Sequence, residues 1–149
     1  MLGQNTLGTL FANDINEKDL GYDFLTNLFE GIYNKYFDST IEMTGGLHFY
    51  TAPKNTEMEY GVYFLVTDVP EYTFTESSEN VIVQFSIFGK NELNLLSIIS
   101  QFKKLFDWAE LTIDNYYNIY CRRIMSEMFP YGDTFQGVLQ FRILAEVVA

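Results

Sequence analysis

The sequence has very few of the residues that carry most protein chemistry. Its 149 residues include one cysteine, Cys121, and one histidine, His48. A single cysteine cannot form an internal disulfide, and a single histidine cannot build a zinc site from several imidazoles. The sequence therefore excludes disulfide-rich folds and most metalloenzymes.

Basic residues and long apolar runs are also scarce. Nine Lys and Arg stand against 20 acidic residues, which gives a net charge of −11 and argues against binding of nucleic acid phosphates. The first basic residue is Lys18, so the start of the chain lacks the charge of a signal peptide. The longest apolar run, residues 62–66, is far shorter than the roughly 18 residues that cross a bilayer. We expect a soluble protein from a reducing cytoplasm, with no membrane partner.

Motifs for common cofactors and catalytic sites are missing. The chain has no Walker loop, no dinucleotide glycine fingerprint, no paired-cysteine metal motif and no Gly-x-Ser-x-Gly elbow. Asp14, Asn16 and Asp19 loosely resemble a calcium loop, but Lys18 stands at its fifth position and Leu25 at its twelfth. We therefore predict no enzyme, no cofactor and no metal.

Apolar and aromatic residues are abundant, at 48% and 17% of the chain. This length and composition suit one folded domain. Residues 1–18 have no sustained periodicity and are predicted to form an N-terminal arm, either docked on a partner or frayed. Residues 19–149 are predicted to form a single α+β domain.

Two segments have the three- and four-residue spacing of amphipathic helices. Asp19 is the candidate N-cap of the first, and Asn91 caps the second, with Glu92 in its first turn. Trp108 follows the second helix and is expected to anchor it on a sheet. The apolar stripes are Phe24, Leu25, Leu28, Phe29, Ile32, Tyr33, Tyr36 and Phe37, and then Leu95, Leu96, Ile98, Ile99, Phe102, Leu105 and Phe106.

Five segments have the composition of strands: residues 47–50, 60–67, 81–88, 116–128 and 135–147, the last with strict two-residue alternation. The acidic segment 68–80 is predicted to be the long loop of a projecting hairpin. The order α-β-β-β-α-β-β predicts an α+β fold, with a mainly antiparallel sheet of four to five strands and two main helices packed on it.

His48 and Cys121 remain as candidates for chemistry. His48 lies within a predicted strand, and we expect a hydrogen-bonded strand histidine rather than a catalytic base. Cys121 precedes Arg122 and Arg123, whose charges would lower the pKa of a nucleophilic thiol. Its strand position instead favours a small core residue.

The fourth predicted strand carries a cluster of tyrosine, arginine and methionine. Half of a strand's side chains point away from the core, and these residue types are enriched at protein interfaces. A subunit interface is one interpretation, and cross-strand stacking within one subunit is the other. We call Tyr116, Tyr117, Tyr120, Arg122, Arg123, Met125, Met128 and Phe129 the Tyr/Arg/Met cluster.

The layout resembles that of the tail terminator, or tail completion, proteins that join head and tail in tailed bacteriophages. The resemblance covers residues 20–147 and rests on the order of elements, since the family has no diagnostic motif. It includes the turn Gly45-Gly46 before a short strand, Pro53 after it, and a final alternating strand that ends Phe141-Arg-Ile-Leu-Ala-Glu146. The arm and the high aromatic content depart from the family layout.

The resemblance implies a structural virion protein that forms a hexameric ring, caps the tail tube, stops tail polymerisation and joins the tail to the head or neck. The implied partners are further copies of the chain, the tail tube protein and a neck or head-completion protein, in the virion and in the host cytoplasm during assembly. DNA would pass through the ring without specific binding. We hypothesise that Asp68, Glu71, Glu76 and Glu79 face this lumen or the neighbouring ring.

Three other functions stay open. The first is a neck or head-completion adaptor. The second is a monomeric α+β module that holds an apolar ligand between the aromatic side chains of its sheet. The third is a small enzyme that uses His48 or Cys121 with neighbouring carboxylates.

Overall fold

The described residues fold into two helices and five strands in the predicted order. The computed structural model describes residues 17–72 and 77–148. The elements are α1 (Glu17–Phe37), β1 (Gly46–Phe49), β2 (Tyr60–Tyr72), β3 (Ser77–Gly89), α2 (Glu92–Phe106), β4 (Tyr116–Tyr131) and β5 (Thr134–Val147). Neither helix, as described, combines the length and the apolar character that a membrane span requires.

All five strands form one sheet in the order β1-β2-β3-β5-β4. β1 is parallel to β2, and every other neighbouring pair is antiparallel, as the predicted α+β class requires. β4 forms one edge of the sheet. At the other edge, β1 pairs only with Tyr60 to Tyr63 of β2, so the rest of β2 is an edge without a partner strand among the described residues.

Both helices cover the same face of the sheet. Alternate residues of the two central strands point into this layer, and their side chains are fully buried. The two-residue alternation predicted for the last strand is therefore confirmed. The inward residues are Val81, Val83, Phe85 and Ile87 in β3, and Leu139, Phe141, Ile143 and Ala145 in β5.

Phe85 lies at the centre of this core. Its ring centroid is 4.9 Å from that of Phe106 and 5.3 Å from that of Phe102, both on α2. Within the sheet, it is 6.1 Å from Tyr63 and 5.9 Å from Phe141. Burial of one such side chain stabilises a fold by roughly 1.5–3 kcal/mol, and aromatic pairs add to that.

α1 crosses the same face of the sheet. The ring of Phe24 lies 4.7 Å from that of Tyr116 on β4, and the ring of Phe29 lies 5.8 Å from that of Tyr63 on β2. The helix therefore spans the sheet from its β4 side to its β2 side.

The two predicted helix caps have different outcomes. The Asn91 side chain accepts a hydrogen bond from the Asn94 N–H at 3.1 Å, so the predicted cap of α2 is confirmed. Asp19 is not a cap, because α1 already begins at Glu17 and contains it. The remainder of the predicted arm, residues 1–16, lies outside the described residues.

Trp108 does not anchor α2 through its side chain, as the sequence suggested. Its indole is 69% exposed and meets Tyr120 edge-on at 6.4 Å. The backbone of Trp108 takes a left-handed φ of 58° after the helix, and its N–H donates to the Cys121 carbonyl at 2.7 Å. The main chain of Trp108 therefore ties the end of α2 to β4, and the ring points outward.

The β2–β3 hairpin is longer than predicted. Residues 68–72 and 77–80 were expected in a loop, but they belong to the strands, and the ladder continues to the pair of Tyr72 and Ser77. Ladder hydrogen bonds keep this polar segment extended in spite of its low strand propensity. A bulge between Leu65 and Thr67 shifts the register. Beyond the bulge, Asp68 stands opposite Val81 and lies on the helix side.

The opposite side of the sheet, which we call the open face, carries neither α1 nor α2. The side chains in the middle of this face, on β3 and β5, include several polar groups. The Gln140 Nε2 donates to Gln84 Oε1 at 2.8 Å, and the Arg142 Nη1 donates to Asn80 Oδ1 at 2.9 Å. These cross-strand pairs satisfy polar groups without a covering layer.

Gly31 allows α1 to approach the segment before β4, which gives a test of the packing. A Cβ at this position would clash with the Thr112 carbonyl oxygen, a backbone atom that cannot turn aside. Gly31→Ala should therefore destabilise the fold by about 1–3 kcal/mol, although alanine is the better helix former.

Urea unfolding would measure this effect. Asn34→Ala, at an exposed position of the same helix, is the control and should be neutral or slightly stabilising. Equal stabilities of the two variants would contradict the close contact.

Candidate assembly surfaces

The Tyr/Arg/Met cluster lies on β4, the edge strand of the sheet. This strand bulges at Ile119 and at Ile124, and both side chains are largely exposed. Bulges on an edge strand disturb the ladder and hinder the addition of another strand. A contact made by β4 would therefore use its side chains more than its backbone.

The cluster is divided between the two faces of the sheet. Tyr116 is 5% exposed and packs on Phe24, and Met128 packs partly buried against the core, so both lie on the helix side. For these two residues the structure shows stacking within one subunit. The residues opposite the outward positions of β5 lie on the open face: Tyr117, Tyr120, Arg122, Met125 and Phe129.

The two arginines of the cluster have different surroundings. Arg123 holds the C-cap of α2 in a bidentate ion pair, with Nε 3.0 Å from Asp107 Oδ1 and Nη2 3.1 Å from Oδ2. Arg122 lies over the Tyr120 ring at 5.3 Å and has no carboxylate at ion-pair distance in the described part of the chain. Its cross-strand neighbour is Arg142. Like charges placed opposite each other are unfavourable, so this pair suits an external anion.

The four acidic residues assigned to a lumen do not form one exposed patch. Asp68 stands opposite Val81 in the ladder and lies on the helix side, and Glu79 is only 7% exposed. Glu71 is a β2 residue paired with Ser78, and the structure describes its backbone. Glu76 lies outside the described residues.

Asp68 and Glu79 form a carboxyl pair near the end of the hairpin. Burial raises the pKa of Glu79 to about 8, with further contributions from a hydrogen bond to Asp68 and from its negative charge. The Oδ1 atom of Asp68 is buried and has no partner among the described groups. Protonation of Glu79 relieves the repulsion that two negative charges would have at this separation.

A second surface was not anticipated from the sequence. Four exposed aromatic side chains lie on the last two turns of α1 and at the end of β1, and we call Tyr33, Phe37, Phe49 and Tyr50 the α1–β1 aromatic patch. The rings of Tyr33 and Phe37 stack at 6.0 Å, and those of Phe49 and Tyr50 meet edge-on at 4.6 Å. Helical spacing placed Tyr33 and Phe37 in the core stripe, whereas the structure leaves them outside it.

The two halves of this patch are joined by buried rings. Phe49 lies 4.9 Å from Phe29 and 5.4 Å from Tyr63. Burial raises the pKa of Tyr63 to about 12, and nearby Tyr33 adds to the rise. The patch therefore rests on the packed core and is held in place by it.

His48 and Cys121 take structural positions. The His48 Nε2 lies 2.6 Å from the Gly45 carbonyl oxygen, which confirms a hydrogen-bonded strand histidine. Cys121 is fully buried, and burial raises the pKa of its thiol to about 12, with the charge of Asp107 contributing. The core interpretation is confirmed for Cys121. Within the described ranges, His, Cys, Asp and Glu side chains form no group of three that could hold a metal.

Two surface cavities bear on the ligand-binding alternative. One of about 370 Å³ lies between α1 and the chain that follows α2 and includes the carboxylates Glu30, Asp38, Glu110 and Asp114. The other, of about 470 Å³, lies at the β1 end of the sheet and includes Tyr50, Tyr60, Val62 and Phe88. The second is the place where an apolar ligand would meet aromatic side chains.

Comparison with known proteins identifies the fold. No protein-family model and no curated protein matches this chain. Solved structures do match it. A chain in "Virion of native gene transfer agent (GTA) particle" superposes with a TM-score of 0.69, over 84% of this chain and 98% of that chain, at 11% sequence identity. The two chains share a fold.

The raised pKa of Glu79 predicts a particular pH dependence of stability. Because the folded state holds this proton more tightly than the unfolded state, the contribution of Glu79 to stability is fully present below pH 4.5 and is lost as the pH rises through about 8. Between pH 6 and pH 9 the loss of this contribution should lower the free energy of unfolding by about 1–3 kcal/mol.

Urea unfolding at several pH values checks this. Glu79→Gln should flatten the curve, because its amide stays neutral. Leu93→Ser replaces an exposed residue that has no titratable group; it is the control and should retain the wild-type slope. If the free energy of unfolding of Glu79→Gln changed with pH as it does in the wild type, this carboxyl would not be the source of the pH dependence.

Cys121 should be unreactive in the folded protein. Iodoacetamide at pH 8 is expected to leave it unmodified, since the thiol is buried and almost fully protonated. Mass spectrometry in urea should then show complete modification. Rapid alkylation of the folded chain would instead support a nucleophilic role for Cys121.

Proposed function

We propose that this chain is a non-enzymatic structural protein of a phage-like virion. The observation that carries the proposal is the fold match to a chain of a gene transfer agent virion, since it covers nearly all of that chain. His48 and Cys121 occupy structural positions, which removes the two side chains on which an enzyme hypothesis rested. Shared fold alone does not determine function, so a virion experiment is the appropriate test.

Within the virion, we propose that six copies form a ring that caps the tail tube, ends tail polymerisation and joins the tail to the head or neck. Closure of a ring requires two different surfaces on each subunit. The Tyr/Arg/Met cluster on β4 supplies exposed tyrosine and arginine for one of them. The partners are then other copies of the chain, the tail tube protein and a neck or head-completion protein.

The charge of the chain supports passage of DNA through such a ring. Six copies at −11 each give −66, and a duplex is repelled by a surface of this sign. We propose that Glu71 and Glu76 contribute to the lumen or to the contact with the neighbouring ring. Asp68 and Glu79, the other two acidic residues predicted there, form the carboxyl pair on the helix side of the hairpin, and the raised pKa of Glu79 lowers its charge at neutral pH.

A neck or head-completion adaptor is the second candidate function, and the shared fold supports it equally. A monomeric ligand-binding module is the third, favoured by the aromatic cavity beside Tyr60 and Phe88. An apolar ligand that bound there and protected the chain from unfolding would support the module.

Particles produced without this protein distinguish the first two roles. Electron microscopy should show tails of uncontrolled, excessive length if the protein terminates the tail. Tailless heads beside tails of normal length would identify an adaptor instead. Particles of wild-type appearance and infectivity would refute the virion role altogether.

Restoring variants to particles produced without this protein also tests the proposal that the chain has no enzymatic role. A chain carrying both His48→Gln and Cys121→Ala should restore normal particles to within about twofold of the wild-type chain, provided that it folds. Circular dichroism is the control for folding. A folded variant that restores no particles would point to chemistry at one of these residues.

A further inference from the structure

We propose that the α1–β1 aromatic patch receives the open-face side chains of β4 from a second copy of this chain. The inference rests on the proposed ring and names the two surfaces that meet in it. The patch comprises Tyr33, Phe37, Phe49 and Tyr50 and lies on the part of the molecule farthest along the sheet from β4.

Exposure is the first argument for a partner at this patch. Phe37 is 70% exposed, and Phe49 and Tyr50 are each about half exposed. Single exposed apolar residues are ordinary, but two pairs of exposed aromatic rings, each pair in mutual contact, are typical of an interaction surface. Aromatic side chains of this kind carry much of the binding energy in protein interfaces.

The charges beside the patch and on β4 indicate which surface binds there. Exposed Glu30 on α1 and exposed Asp38, the residue that follows the helix, lie beside the stripe that bears Tyr33 and Phe37. On β4, Arg122 is exposed and has no carboxylate partner in the described chain, and Arg142 stands opposite it. Arg122 on the open face of β4 thus matches the carboxylates beside Tyr33 and Phe37, while exposed Glu127 lies farther along the same face of the strand. A single chain carries both surfaces.

Position makes the contact repeatable. β4 and β1 are the two ends of the strand order, so a contact between β4 of one copy and the patch of the next leaves the opposite surface of each copy free. Such a head-to-tail contact closes into a ring or continues as a filament. The bulges of β4 keep its backbone from pairing with another strand and leave this contact to side chains.

Two variants of the full chain separate the two surfaces. Phe37→Ser removes an exposed ring from the patch, and Arg122→Glu reverses the charge on β4. Each alone should weaken self-association at least tenfold, as measured by analytical ultracentrifugation over a range of concentrations. Leu93→Ser is the matched control, because Leu93 is as exposed as Phe37 but lies at the start of α2.

The decisive measurement is an equimolar mixture of the two variants. Each variant retains one working surface, so the mixture should form a dimer and grow no further. A mixture that stays monomeric would show that the two surfaces do not face each other. Self-association of either variant at wild-type strength, or a wild-type chain that is monomeric up to about 1 mM, would also overturn the inference.

These outcomes are distinct from failure of the virion role. Phe37→Ser chains that self-associate normally but no longer restore particles would assign the patch to another virion protein, overturning the inference and leaving the virion role in place. Normal particles in the complete absence of the chain would refute the virion role, whatever the ultracentrifuge shows.

Discussion

The packing of α2 on Phe85 is the contact on which the rest of the structure depends. Phe85 stands on a central strand, and its ring meets aromatic residues from β2, β5 and two turns of α2. This places the large buried rings on one side of the sheet. α1 joins the same layer, since Tyr36 stacks on Phe102 at 5.8 Å. The fold therefore buries one face of the sheet and leaves the other open.

The one-sided core also determines how β4 is held. The end of α2 is tied to this edge strand by the Arg123–Asp107 ion pair and by the hydrogen bond from Trp108 N–H to the Cys121 carbonyl. Tyr116 joins β4 to α1 at the other end of the strand. These contacts join β4, which carries the outward tyrosines and Arg122, to both helices.

Local signals predicted most of the fold. The alternation of β5 identifies a strand with one buried side, and the Asn91 side chain marks the start of α2, because each signal depends on near neighbours. The hairpin between β2 and β3 was underestimated, since ladder bonds from a partner strand extend residues that have little strand preference of their own. Trp108 was misplaced for a similar reason: its orientation follows from a backbone turn that only the meeting of α2 and β4 imposes.

The surfaces were harder to predict than the core. Helical periodicity does not determine how much of the α1 surface is buried. It therefore predicts Tyr33 and Phe37 in the core, although both are exposed. The sequence predicts Glu79 at the surface, but its side chain is buried. The bulge in β2 and the neighbouring strands determine this burial, and the residues near Glu79 in sequence do not reveal either.

The structure also shows where the charged residues of this acidic chain lie. Uniform negative charge would keep identical chains apart, but the three arginines of this chain all lie on β4 and β5, whereas exposed carboxylates lie along α1. Protonation of Glu79 further reduces the negative charge at the hairpin. Arginine is therefore confined to the β4–β5 side of the sheet, where exposed Glu127 also lies. Opposite charges on two surfaces favour a contact between them and like charges disfavour one, which is the electrostatic basis of the proposed head-to-tail contact.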